Sequence, residues 1–230
     1  MNYLQLVNRT RVECGVSGAA TPLTTVQNLT GEAARIATWV NSAWVDVQTA
    51  KEDWQWMRTS VQFNTVTQQQ VYSPAQAGVD ATFGNWKRDS FRCSSVGQNY
   101  ADEQLLNYMD YTTFRNLYQY GNMRTTYARP VVVSIAPGPD KSLAFGSIPD
   151  QPYVITGEYY QRPYDLALDA DEPDIPERFQ LAIVYRAMMF YGGYESAPEV
   201  FQRGESEFKR LMNRLNIDQL PTIVSGPPLA

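Results

Sequence analysis

The chain has 230 residues, 43% of them hydrophobic and only 19% charged, with a net charge of −5. That apolar share supports a sizeable core in one large domain or two small ones, and the acidic balance weighs against an extended nucleic-acid groove, which needs clustered Lys and Arg. Histidine is absent, which removes the usual general base, the commonest metal ligand and any Ser-His-Asp or Cys-His dyad.

The start, MNYLQLVNRTRVECG, carries polar residues every few positions and reads as neither signal peptide nor membrane span. No membrane partner is expected. Leu4, Val7 and Arg11 fall at helical spacing, predicting a short helix over 3–13 that closes at Gly15. After a loop at 18–22, Thr30 is the expected N-cap of a helix over 31–53, with Glu32 in its first turn. Ala33, Ile36, Ala37, Val40, Trp44 and Val47 form its apolar stripe. Trp54-Gln55-Trp56 alternates, and the chain is expected to turn extended there.

From Thr59 the period changes to two. Val61 and Phe63 alternate with Gln62 and Asn64, and Gln70–Ser73 continues in that style until Pro74 stops it. Residues 86–96 form another strand candidate, with Phe91 and Cys93 on one face. Asp102 then reads as the cap of a helix over about 103–118, with Leu105, Leu106, Met109 and Leu117 inward and Gly121 at its end. Further strands are expected at 130–135, 142–145 and 153–160. The acidic run LALDADEPDIPE returns the chain to helix.

The last helices are the best punctuated. Pro176 suits a first-turn position, and Phe179–Tyr191 is apolar but for Arg186. Gly192-Gly193 reads as a break and Pro198 as the next start. Phe201, Gly204, Phe208, Leu211 and Leu215 then form a narrow heptad seam, with Glu199–Arg203 and Glu205–Lys209 as pairs on the wet face. The predicted class is α+β: an antiparallel helical bundle with an inserted β subdomain of about five or six strands. Its parts are N-terminal helices (1–58), the β subdomain with one interrupting helix (59–162), a helical hairpin (163–216) and an extended tail (217–230).

Little in the chain points to chemistry. Asp169, Asp171 and Asp174 form D-x-D-x-x-D, yet the glycine and final glutamate of a calcium loop are missing and two prolines stiffen the run. It reads better as a linker feeding a helix. Glu52 and Asp53 beside Trp54 and Trp56 resemble a glycosidase carboxylate pair only weakly; packing where helix meets sheet is the plainer role. Cys14 and Cys93 stand too far apart in sequence to make a zinc site alone, and a reduced compartment is expected. No catalytic residue, metal or cofactor is expected. Lys87, Arg88, Arg92, Arg124 and Arg129 lie in or beside the predicted strands, either lining a channel for DNA or on solvated strand faces. Arg186 requires a partner, since an unpaired buried charge costs several kcal/mol. A carboxylate in the same bundle or in a neighbouring subunit would serve.

The hairpin IPERFQLAIVYRAMMFYGGYESAPEVFQRGESEFKRLMNRL resembles that of phage head-to-tail adaptor proteins, the tail tubular protein A family and related head-completion proteins. LVNRTRVECG, the helix GEAARIATWVNSAWVDVQTAKEDWQWMR and the strand pair SVQFNTVTQQQVYSP, with Trp54, Trp56, Tyr72 and Pro74, carry the same resemblance. It implies a non-enzymatic virion protein of the phage neck, made in the host cytoplasm. Such a protein forms a ring, commonly of twelve subunits, between the portal protein and tail or nozzle proteins. Genome DNA passes through its lumen without sequence-specific binding. Leu220, Pro221, Ile223, Val224, Pro227, Pro228 and Leu229 are then candidates for docking on the portal. Arg186, Phe201, Gly204, Phe208, Leu211 and Leu215 are candidates for the subunit interface, and Lys87, Arg88, Arg124 and Arg129 for lumen or tail contacts. Alternatives are another neck or tail component, such as a terminator or plug, or a carboxylate-dependent hydrolase.

Overall fold

The computed structural model describes residues 1–79, 81–98 and 100–220. Among them are five α-helices: α1 (Tyr3–Glu13), α2 (Gly31–Thr49), α3 (Tyr111–Tyr118), α4 (Leu181–Tyr194) and α5 (Pro198–Gln219). Nine strands accompany them: β1 (Arg58–Asn64), β2 (Val71–Tyr72), β3 (Phe83–Trp86), β4 (Arg92–Ser95), β5 (Gln104–Leu105), β6 (Asn107–Tyr108), β7 (Val132–Ile135), β8 (Leu143–Gly146) and β9 (Tyr153–Gln161). The fold is mixed α and β. The chain divides into two compact units, one of Met1–Trp56 with Pro163–Ala230, the other of Met57–Arg162.

The first unit is helical, and α4 lies at its centre against α1, α2 and α5. The apolar run that forms α4 makes this possible, because Ile183, Val184, Ala187 and Met188 are fully buried. Leu6 and Val7 of α1, Ile36, Val40, Trp44 and Val47 of α2, and Leu211 and Leu215 of α5 complete the core. α1 starts with an Asn2/Gln5 capping box that satisfies free N–H groups of its first turn. Thr30 does precede α2, but its side chain makes no capping bond.

The tryptophans end differently from expectation. Residues Gln55–Met57 form a 3₁₀ turn, not an extended segment. Trp56 stacks on Trp44 with ring centroids 5.3 Å apart, and Trp54 is fully buried with its indole N–H donating to the Val47 carbonyl at 3.1 Å. Burial of large aromatic surface outweighs the local alternation. Gly192 and Gly193 do not break α4, which runs to Tyr194. At Gly192 a Cβ would stand 2.7 Å from the Phe201 amide nitrogen, so glycine here admits the start of α5. Ser196 takes the left-handed turn conformation instead. α5 reaches Gln219, so residues 217–219 are helical, not the start of an extended tail.

The second unit is built from two sheets. In the five-stranded sheet, β9 pairs with β1 along one edge and with β4 and then β3 along the other, while β5 pairs β4. The four-stranded sheet runs β2-β8-β7-β6, all antiparallel except β6 with β7. Phe63, Tyr72, Trp86, Phe91, Val133, Phe145 and Ile155, drawn from both sheets, share one core. The β region, expected to hold about five or six strands, has two sheets with nine strands among the described residues.

The 59–73 segment is not a hairpin of paired strands. β1 lies beside β9 and β2 beside β8 in the other sheet. Thr65 and Tyr153 exchange two hydrogen bonds of 2.8 Å, after which the Tyr72 hydroxyl accepts from the Val66 N–H at 2.8 Å and pins the corner. The predicted 86–96 strand is likewise β3 and β4 with a turn between them.

The helix expected over 103–118 is shorter, starting at Tyr111. Residues 104–105 pair with β4 and 107–108 with β7, where backbone groups find ladder partners. The cap is Asp110, which accepts from the Thr112 and Thr113 amides at 2.9 and 3.1 Å. Phe114 is buried against Val132 and Ala144, fixing α3 on the four-stranded sheet.

Candidate functional site

The cations of the β unit have different surroundings. Arg129 is a clamp: it donates to Asp102 Oδ1 at 2.8 Å, to the Cys93 carbonyl at 2.6 Å and to the Asp102 carbonyl. Asp102 in turn accepts from the Ser95 amide at 2.7 Å. That amide, then Arg129, hold the Asp102 carboxyl below the usual carboxylate range. Asp102 thus serves β4 and the 127–131 segment, which is why it does not cap a helix.

Lys87 is shared between Asp89 at 3.3 Å and Glu158 at 3.4 Å, with Arg58 also 3.5 Å from Glu158. Arg92 pairs with Glu103 at 3.5 Å. Arg88 lies over the Tyr108 ring, 5.2 Å from its centroid. Arg124 is exposed and makes no ion pair among the described residues. Of the four proposed lumen contacts, only Arg88 and Arg124 are without a carboxylate partner among those residues.

α3 and the turns after it form an apolar arm that sequence reasoning missed. Phe114 anchors its inner side, yet Leu117, Tyr120, Met123, Tyr127 and Val131 are all exposed, Tyr120 at 56%. Helical spacing over 103–118 places Leu105 and Leu117 inward, but both are exposed. Leu117 follows Phe114 on a two-turn helix that buries a single side chain, and Leu105 lies on an edge strand. The 3₁₀ turn Gly121–Thr125 buries no residue. Arg115 reaches over Tyr120 at 5.8 Å. The sequence does carry a signal: residues 111–131 include three Arg and no Asp or Glu while being rich in Tyr.

The interface candidates of the helical unit are mostly committed within the chain. Arg186 meets Asp46 Oδ2 at 2.8 Å through both Nε and Nη2 and lies 4.7 Å from the Phe190 ring centroid. The partner its charge required is therefore on α2. Gly204 faces α4, where a Cβ would stand 2.8 Å from the Tyr185 carbonyl oxygen. Leu211 and Leu215 are buried, whereas Phe201 and Phe208 are half-buried. Glu205 and Lys209 pair at 2.8 Å as expected, but Arg203 turns to Glu13 of α1 instead of Glu199.

The acidic run after residue 163 is stitched into the helical unit by backbone bonds. The Tyr3 amide donates to the Asp171 carbonyl at 2.8 Å, the Val26 amide to Asp169 Oδ1 at 2.7 Å, and the Leu166 amide to Asn41 Oδ1 at 2.8 Å. Asp171 accepts from the Leu168 and Ala167 amides, which lowers its titration. These carboxylates are turn formers, and no group of metal-ligating residues occurs among the described residues. Asp165, Glu172, Asp174 and Glu177 are exposed, with Asp174 beside the Tyr164 hydroxyl.

At the end of α5, Arg178, Phe179, Leu211, Arg214, Ile217 and Asp218 line an open groove of about 520 Å³. Ile217 is 86% exposed there and Arg178 pairs with Asp218. Of the docking candidates, Leu220 is half-buried at the helix end. Pro221, Ile223, Val224, Pro227, Pro228 and Leu229 lie outside the described residues. Both cysteines are buried, which pushes the Cys14 thiol up to about 12. No helix among the described residues is long and apolar enough to cross a membrane.

These features define a protein of surfaces: two cores, ion pairs that brace them, and apolar faces left open. A family model described as SU10 adaptor protein matches residues 1–227, and the chain belongs to that family. It is a phage structural adaptor, a component of the virion. No curated protein matches the chain.

Proposed function

We propose that this adaptor assembles as a ring, of about twelve subunits by its resemblance to tail tubular protein A-like proteins, between the portal and the tail. The observation that carries this reading is the family match, which runs from the first residue through most of the apolar tail. Genome DNA passes through the ring without sequence-specific binding, and Arg88, exposed and without a carboxylate partner among the described residues, is the cation left to meet it. Lys87 and Arg129 contribute by bracing the β unit.

The tail beyond α5 is the portal-docking element, with Leu220, Pro221, Ile223, Val224, Pro227, Pro228 and Leu229 as contacts. Proline-rich apolar segments lose little entropy on binding in extended form. The seam of α5 serves the chain's own packing through Gly204, Leu211 and Leu215, so contact with a neighbour there falls to Phe201 and Phe208. Deleting residues 221–230 leaves α5 whole. Such a chain should unfold as the full chain does but be captured by immobilised portal protein at least about tenfold more weakly. Unchanged capture would remove the tail from the portal interface.

A further inference from the structure

A ring needs a heterologous joint, in which one face of each copy meets a different face of the next. The charge distribution singles out two such faces. Residues 57–162 hold nine Lys and Arg against eight Asp and Glu, and the rest of the chain ten against sixteen, so the β unit carries +1 and the helical unit −6. Within the β unit, the arm over 111–131 has Arg115, Arg124 and Arg129 and no acid. Within the helical unit, residues 165–177 hold six acids and no base.

We propose that the 111–131 arm of one copy docks on the 165–177 segment of the next, an assignment that rests on the ring reading above. Arg115 and Arg124 are exposed on the arm and face no carboxylate among the described residues. Glu172 and Glu177 are exposed on the segment, and neither makes an ion pair among the described residues. Between the charges each face offers apolar surface: Leu117, Met123 and Tyr127 on the arm, and Leu168, 62% exposed, on the segment. An apolar centre rimmed by opposite charges is the usual anatomy of a specific protein contact. Duplex DNA fits the arm less well, because its phosphates gain nothing from exposed aliphatic side chains and Arg129 is already held by Asp102.

Charge reversal tests the pairing on the full chain, read by sedimentation velocity at low and moderate salt. The variants Arg115→Glu/Arg124→Glu and Glu172→Lys/Glu177→Lys should each self-associate at least about tenfold more weakly than wild type. Mixed in equal amounts they should recover assembly, since in alternating copies the introduced glutamates face the introduced lysines, and the native Arg115 and Arg124 face the native Glu172 and Glu177. Misfolded chains would give no such rescue. Variants that unfold thermally as wild type does and either assemble like it or weaken without rescue on mixing overturn the pairing while leaving the ring reading intact. An arm variant that assembles normally but no longer retains duplex DNA assigns the arm to nucleic acid and overturns the pairing too. A wild-type chain that stays monomeric at every concentration, with and without portal protein, overturns the ring reading itself.

Discussion

Arg124 and Arg129 belong to the same short stretch of chain, yet only Arg129 is bound into the β unit. Its guanidinium closes a path from Asp102 to the Cys93 carbonyl, whereas Arg124 lies in solvent. Arg129→Ala should therefore lower the denaturation midpoint measurably, because it strands two carbonyls and a carboxylate. Arg124→Ala should change stability by less than about 0.5 kcal/mol. Equal effects in chemical denaturation would refute the distinction. The same site sets an acid limit. Asp102, Asp110 and Asp171 titrate below the ordinary value of 3.8 in the folded chain, so the unfolded chain binds protons first as pH falls. Their contribution is complete above about pH 5 and is lost progressively as pH drops below about 4 through the folded values. Stability measured against pH should fall more gently in Asp102→Asn than in wild type, and identical slopes would contradict this.

At the level of elements, glycine context decides the α4–α5 hairpin. Gly204→Val would drive a Cβ to 2.8 Å from the Tyr185 carbonyl and should destabilise by about 1–3 kcal/mol. Gly193→Ala meets nothing within 4 Å and should be neutral or stabilising by up to about 1 kcal/mol from helix propensity. Thermal unfolding separates the two, and a Gly204→Val chain as stable as wild type would mean the helices do not meet there. This hairpin was legible in sequence because its signals are local: a long apolar run, Pro198 at a helix start, and a heptad seam. Gly192 was misread because a helix break and a close helix approach call for the same residue. The helix over 103–118 was overextended for a related reason. Asp102 looks like a cap until its long-range bond to Arg129 is known, and the pairings of residues 104–108 depend on strands far along the chain. The 59–73 segment shows the same limit. Alternation revealed both strands, but not that Thr65 and Tyr72 turn the chain from one sheet to the other.

For the whole molecule, the absence of histidine removed the usual general base, and the resemblance of the hairpin led to the adaptor family that residues 1–227 match. The contact faces themselves were less legible. A Tyr- and Arg-rich stretch without acids can form a buried strand region or an exposed arm, and only the placement of Phe114 inward and Leu117 outward decides between them. The proposed ring of this adaptor between portal and tail has a direct consequence in the assembled particle. Cryo-electron microscopy of intact virions tests it most directly. A ring should give symmetric density for this chain at the neck, in contact with the portal on one side and a tail protein on the other. A neck fully explained by other proteins, with this chain absent or located elsewhere in the particle, would contradict it.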